Sequence, residues 1–162
     1  MSLMTSNPAQ DGAVRVGDIA PDFTLPSQSG ELVRLHDFIG KRAVVLFFYP
    51  KDYTAGCTAE ACAFRDSYEI FQRAGAEVIG ISSDSVGLHR RFAASYQLPF
   101  TLLSDRGGMI RRLYGAQSML GLVPGRVTYI IDRQRIVRHV FSALFEGKRH
   151  VAEALKILQT IG

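Results

Sequence analysis

The chain holds two cysteines, Cys57 and Cys62, five residues apart in the stretch YPKDYTAGCTAEACAFRDS, Tyr49 to Ser67. Paired cysteine ligands of a metal are usually two to four residues apart, and a disulfide oxidoreductase uses C-x-x-C. This pair fits neither pattern. The thiolate is the reactive form, and near neutral pH a free cysteine is mostly thiol, so a reactive cysteine needs a setting that favours the anion. A helix N-terminus supplies one through its unpaired N–H groups and its dipole. Cys57 follows Thr54-Ala55-Gly56 and precedes the apolar positions Ala61, Phe64, Tyr68 and Phe71, whose spacing marks one helix face. It therefore falls on the buried side of that helix's first turn. Thr54 is close enough to offer a hydroxyl, and Gly56 permits close approach of the backbone. Glu60 suits the dipole but opposes a thiolate, so a nearby cation must help. The competing reading of Cys57 alone is a small apolar residue packed against a strand, a common fate of free cysteines.

Geometry constrains the pair further. On one continuous helix, five residues give a rise of about 7.5 Å and a rotation of about 140°, so the Cα atoms sit roughly 8–9 Å apart. A disulfide needs them within about 7 Å. Either the two cysteines never bond, or bonding requires the first turns of the helix to melt.

The elements that must position these residues are legible from pattern. DFTLPSQSGELVRL reads as two short strands joined by a polar turn at residues 27–30. AVVLFFY, residues 43–49, is a continuous β-favouring run that suits a strand buried on both faces, and Pro50 stops it. After the cysteine helix, AEVIGISSD is a second buried strand, followed by a helix around Val86–Tyr96. FTLLSD is a third strand and GGMIRRLYG a short helix; RVTYIID and RIVRHVF form a hairpin around Arg133-Gln134. KRHVAEALKILQTI closes the chain as an amphipathic helix. Strands alternating with helices and ending in a hairpin imply an α/β domain with a mixed central sheet and helices on both faces. No linker divides it: residues 14–162 read as one domain after a loose tail over residues 1–13.

Composition sets outer bounds. The chain has 162 residues, 47% hydrophobic and 21% charged, enough for one domain with a substantial core. The apolar run at residues 43–49 is far too short to span a bilayer, so no membrane is expected. The first residues lack the basic and apolar blocks of a signal peptide. Two cysteines are too few for a disulfide-stapled secreted scaffold, which points to a reducing interior, the cytoplasm or an organelle after removal of a leader. The net charge of +4 comes from scattered basic residues, not one run, so no nucleic-acid partner is expected.

FFYPKDYTAGCTAEACAFRDSY closely resembles the active-site segment of peroxiredoxins, specifically the peroxiredoxin Q or bacterioferritin-comigratory-protein type. The family pattern Pro-x-x-x-Thr/Ser-x-x-Cys falls on Pro50, Thr54 and Cys57. A second cysteine five residues on, here Cys62, marks one branch of the Q type. The likeness continues through VGDIAPDFTLPSQSGELVRL, AGAEVIGISSD, LPFTLLSD and VPGRVTYIID, the last carrying the family's arginine onto Arg126. One departure is Ala55, where the Q type usually has a proline that would stiffen the loop. The resemblance implies a thioredoxin-like fold with an N-terminal β-hairpin, and a peroxidase acting on hydrogen peroxide and organic hydroperoxides. In that scheme the Cys57 thiolate attacks the peroxide, Arg126 is the missing cation, Thr54 hydrogen-bonds thiolate or peroxide, and Pro50 packs over the pocket. Cys62 resolves the sulfenic acid into an intramolecular disulfide, which thioredoxin or a similar dithiol reduces. No metal, haem or flavin is implied, and the intramolecular pair removes any chemical need for a partner subunit, which suits a monomer.

Other chemistries find less support. A thioredoxin-type reductase lacks its C-x-x-C. The four histidines, His36, His89, His139 and His150, are dispersed without an H-x-x-x-H pair and read as surface or satisfied core residues. Ser82 has no G-x-S-x-G elbow, and no G-x-x-x-x-G-K-[ST] phosphate loop occurs. A redox sensor or holdase that uses the same cysteines to expose the Phe64/Phe71 face remains a second class.

Overall fold

The computed structural model describes residues 13–116, 125–142 and 147–161. Of the tail expected over residues 1–13, all but Ala13 lies outside the described residues.

The architecture is organised by strand β3 (Ala43–Phe48), in which all six residues are buried. Alternation sends Val44, Leu46 and Phe48 into one core and Ala43, Val45 and Phe47 into another on the opposite face. Only a strand apolar at every position can serve two cores at once. β3 runs parallel to β4 (Ala76–Ser82), which runs parallel to β5 (Thr101–Ser104). On its other side β3 is antiparallel to β6 (Val127–Ile131), and β6 to β7 (Val137–Ser142). The resulting order, β5-β4-β3-β6-β7, is the expected mixed sheet. β1 (Thr24–Pro26) and β2 (Leu32–Arg34) form the expected separate N-terminal hairpin.

Helices cover both faces. α1 (Ala55–Asp66), α2 (Tyr68–Arg73), α3 (Val86–Tyr96) and α5 (Gly147–Ile161) bury Phe64, Phe71, Phe92 and Leu158 in the Phe47 core. α4 (Met109–Tyr114) buries Ile110 and Tyr114 in the other. The single helix expected from Cys57 through Phe71 is in fact two. Ser67 leaves helical geometry at φ −107°, ψ 5°, and the chain restarts at Tyr68. Serine is an indifferent helix former, and the change of direction keeps Phe64 and Phe71 in contact, their ring centroids 5.7 Å apart, within one core.

Register positions the site. Phe48 pairs with Val127, so the residue after β3, Tyr49, and the residue before β6, Arg126, flank the same end of that pair. This is the carboxyl end of β3, where its connection leaves towards α1 while its antiparallel neighbour begins, a usual place for a site in an open α/β sheet.

Candidate active site

Thr54 caps α1 in extended geometry, φ −73° and ψ 153°, and its carbonyl accepts the Thr58 N–H at 2.8 Å. Ala55 is the first helical residue, and Cys57 follows within the first turn. Cys57 is 1% exposed and shares its core with Ala61 and Phe64, as the apolar spacing predicts. A thiol there faces the positive end of the helix dipole.

The required cation is Arg126. Its Nη2 donates to Cys57 Sγ at 3.4 Å and its Nη1 to Glu60 Oε1 at 2.7 Å. A Cβ on Gly56 would lie 2.9 Å from Arg126 Nη2, so a side chain there would crowd the guanidinium that reaches the sulfur. Burial works against the Arg126 charge, but Glu60 and then Cys57 outweigh it and hold its pKa above the ordinary value.

Glu60 is fully buried, and burial pushes its pKa up to about 7 although Arg126 pulls the other way. Thus carboxylate and thiolate compete for one guanidinium, and near neutral pH Glu60 is close to balance between its charged and neutral forms. Among the described residues, Glu60 Oε2 accepts no hydrogen bond, and it lies 3.5 Å from His150 Nδ1. That nitrogen is 2.7 Å from the Thr128 hydroxyl on β6.

A second arginine supports the frame. Arg111, on α4, is 2% exposed and donates to the carbonyls of Tyr49, Ala116 and Gly125. It joins the residue after β3 to the residue before Arg126. Burial draws its pKa below the ordinary value, opposed by Asp105 and then Cys57. Its charge thus contributes to the potential at the sulfur.

The loop before α1 is fastened from the other side. Asp52 accepts the Tyr49 hydroxyl at 2.6 Å and lies 2.6 Å from His89 Nδ1. His89 Nε2 is 2.9 Å from the Leu103 carbonyl, which can only accept, so that nitrogen carries a proton. With Asp84, just after β4, accepting the Asp52 N–H at 2.7 Å, the loop is tied to the end of β4 and to α3, and through His89 to β5.

The residues expected from sequence therefore divide. Cys57 and Arg126 are brought into contact. Thr54 stands at the helix cap, but its hydroxyl donates to the Lys51 carbonyl at 3.0 Å and not to the sulfur. Pro50 is half-buried at the mouth of the loop. Cys62 is a free, partly buried thiol on the same unbroken helix as Cys57. Of VPGRVTY, Val123 and Pro124 lie outside the described residues. Sequence reasoning missed Arg111 and His150. For Arg111 the only local signal is its place beside Ile110 in a short apolar helix; for His150, its i, i+4 spacing from Ala154 on the apolar stripe of the last helix.

A buried thiol on a guanidinium at a helix N-terminus can carry a thiolate and can stabilise charge on an attacked oxygen. Comparison with known proteins agrees. Residues 16–140 match the AhpC/TSA family. Chloroplastic peroxiredoxin Q of Triticum aestivum is 50% identical over 151 residues, covering 93% of this chain and 69% of that protein. Chloroplastic peroxiredoxin Q of Arabidopsis thaliana is 50% identical over 147 residues, 90% of this chain and 68% of the relative. Among solved structures, peroxidoxin BcpB from Mycobacterium tuberculosis superposes with a TM-score of 0.84 at 40% identity, covering 91% of this chain and 97% of that one. The chain belongs to the AhpC/TSA family, and the expected thioredoxin-like fold and thiol-dependent peroxidase activity of the peroxiredoxin Q type are borne out by these relatives.

Proposed function

We propose that Cys57 is the peroxidatic nucleophile and Cys62 its resolving partner. The observation that carries the reading is the 3.4 Å contact from Arg126 Nη2 to Cys57 Sγ at the start of α1. The Cys57 thiolate attacks the terminal oxygen of hydrogen peroxide or an organic hydroperoxide. The O–O bond breaks, sulfur is oxidised to sulfenic acid, and the leaving oxygen departs as hydroxide or alkoxide and takes up a proton. Arg126 steadies first the thiolate and then the charge on the departing oxygen. Pro50 limits entry of water, and the Thr54 hydroxyl turns from Lys51 to the peroxide when substrate is bound.

Cys62 then displaces the sulfenic oxygen as water, forming the Cys57–Cys62 disulfide. A dithiol protein of the thioredoxin kind reduces it by exchange. The cycle needs no second subunit, and we read residues 14–162 as one catalytic unit that works as a monomer without a nucleic-acid or membrane partner. Among the described residues, no helix is long and apolar enough to cross a membrane. A reducing compartment, cytoplasm or organelle interior, suits two free thiols.

The test is thioredoxin-coupled peroxide consumption by wild type, Cys57→Ser and Cys62→Ser. Wild type should turn over, Cys57→Ser should be inert, and Cys62→Ser should trap one sulfenic acid and stop. Turnover of Cys62→Ser at the wild-type rate would remove Cys62 from the mechanism. A wild type that oxidises once, slowly, and then binds unfolded clients would favour the sensor class.

A further inference from the structure

The place of the Thr54 hydroxyl is not set by Thr54 alone. Its Oγ1 donates to the Lys51 carbonyl at 3.0 Å, so the direction of that carbonyl fixes where the hydroxyl lies before substrate arrives. The carbonyl belongs to the peptide unit that joins Lys51 to Asp52. A trans peptide is planar, and its C=O and N–H point in opposite directions. Whatever holds the Asp52 N–H therefore aims the Lys51 carbonyl.

The holder is Asp84, in the turn between β4 and α3, whose Oδ2 accepts the Asp52 N–H at 2.7 Å. The same oxygen accepts the Ser82 hydroxyl at 2.6 Å, and the Asp84 N–H returns a bond to Ser82 Oγ at 3.2 Å. The Asp84 carbonyl accepts the Ser104 hydroxyl at 2.6 Å. Ser82 and Ser104 are buried and face each other in register at the paired ends of β4 and β5. Asp84 is thus fastened to the sheet, while the peptide it holds belongs to a loop. A line of hydrogen bonds runs from the sheet through Asp84 and the 51–52 peptide to the Thr54 hydroxyl.

That loop does not keep its shape unaided. Tyr53, between Asp52 and Thr54, has a φ of +67°, a region that favours glycine. Its ring packs edge-on against Phe92 at 5.1 Å, and its hydroxyl lies 2.8 Å from Ser95 Oγ, both on α3. Tyr49 and His89 hold the Asp52 carboxyl group. These ties act on side chains. The Asp84 contact acts on the peptide whose other end meets Thr54.

We propose that Asp84 is a positioning residue for peroxide reduction: by fixing the Lys51–Asp52 peptide it sets the Thr54 hydroxyl for its hydrogen bond to the peroxide. This rests on the reading of Cys57 as the nucleophile and of Thr54 as a group that touches the peroxide. The Thr54 hydroxyl does not bond the sulfur, and Arg126 does. Loss of Asp84 therefore costs reactivity towards peroxide and leaves the reactivity of the thiolate as such.

The experiment uses Asp84→Ala, Asp84→Asn, Ser82→Ala and Thr54→Val, each combined with Cys62→Ser so that one thiol is read and disulfide closure plays no part. Two rates of Cys57 are measured on each reduced protein. One is with hydrogen peroxide, by competition with a haem peroxidase; the other is with iodoacetamide, by intact mass. Asp84→Ala should lose about tenfold in the peroxide rate, the worth of one hydrogen bond to the reacting group, and keep its alkylation rate. Asp84→Asn retains an oxygen that accepts the Asp52 N–H and should recover most of the loss. Ser82→Ala, which frees the carboxylate from behind, should show the same selective loss at smaller size, and it decides the matter if Asp84→Ala does not fold. Adding Asp84→Ala to Thr54→Val should cost nothing further, because the hydroxyl through which Asp84 acts is gone.

Equal losses in the two rates would make Asp84 a structural residue only and overturn the proposal. Additive losses with Thr54→Val would overturn it too, as would a wild-type peroxide rate in Asp84→Ala where Thr54→Val is slow. Thr54→Val at the full peroxide rate would remove Thr54 from the reaction, and this proposal with it. A Cys62→Ser parent that forms no sulfenic acid on Cys57 would instead refute the nucleophile on which the proposal stands.

Discussion

Arg126 and Cys57 stand 69 residues apart in the chain, yet Arg126 Nη2 donates to Cys57 Sγ at 3.4 Å inside a closed core. A hydrogen bond from a charged donor contributes about 1.5–3 kcal/mol, and each 1.4 kcal/mol is about tenfold in rate. Arg126→Met should therefore lower the second-order rate constant for hydrogen peroxide by roughly 10–100-fold, measured by competition with a haem peroxidase. Part of the loss would come from stranding Glu60, so Arg126→Met with Glu60→Gln should recover stability but not rate.

Glu60 gives a pH signature. Burial raises its pKa from 4.5 to about 7, so the folded protein binds this proton more tightly than the unfolded chain. The stability the proton supplies is complete below about pH 4.5 and is lost as pH rises through about 7. Glu60→Gln should thus gain stability relative to wild type across that window, by on the order of 3 kcal/mol, read by urea unfolding at several pH values. Arg126 and His150 face the carboxyl group, Arg126 also donating to Cys57 and the His150 Nδ1 also lying 2.7 Å from the Thr128 hydroxyl. With the competing carboxylate removed, Arg126 serves the sulfur alone, and the acid limb of the peroxide-reduction profile should move to lower pH. A limb that stays in place would show that Glu60 carries no charge in the reacting state.

Arg111 joins three segments by donating to the carbonyls of Tyr49, Ala116 and Gly125. The Ala116 carbonyl also accepts the Gly125 N–H at 3.2 Å, so the loss falls on the Tyr49 and Gly125 carbonyls, each at about 1–3 kcal/mol if left without a donor. Arg111→Met should lower unfolding stability by about 2 kcal/mol or more on that scale, with Arg111→Lys in between. Equal stability of Arg111→Met and wild type in urea would mean that other donors replace the guanidinium.

Ala55 occupies the first helical position after Thr54, whose extended φ of −73° and ψ of 153° suit a residue before proline. A proline at that position lacks only an N–H that the helix does not use. Ala55→Pro should raise stability by about 0.4–1 kcal/mol, seen as a small rise in Tm. It should also slow disulfide closure, because the first turn of α1 becomes harder to melt. A lower Tm would place Ala55 outside helical geometry in solution.

Much of this fold was legible beforehand because the signals are local. Residues 43–49 are apolar at every position, and that alone implies a strand buried on both faces. Helix α3 falls at Val86–Tyr96, where the pattern puts it. Other features were hidden. The break at Ser67 depends on how Phe64 and Phe71 meet in the core, and the apolar spacing runs across it without a gap. His150 reads as a satisfied core histidine, and it is one, but its neighbours Thr128 and Glu60 come from two other elements. The Thr54 hydroxyl turns to Lys51, a choice between two nearby acceptors that no spacing encodes.

The sequence by itself determined the candidate nucleophile and its setting: a cysteine in the first turn of a helix after Thr-Ala-Gly, with a second thiol too far along that helix to bond while it is intact. These are properties of neighbours in the chain, governed by helix periodicity and the helix dipole. Only the tertiary structure decided which charges meet that sulfur. The pairing of Phe48 with Val127 brings Arg126 to Cys57, and the bare backbone of Gly147 brings α5 onto Glu60. Interactions between charges fall off with distance, not with separation in sequence, so they are set when the strands pair and the helices pack.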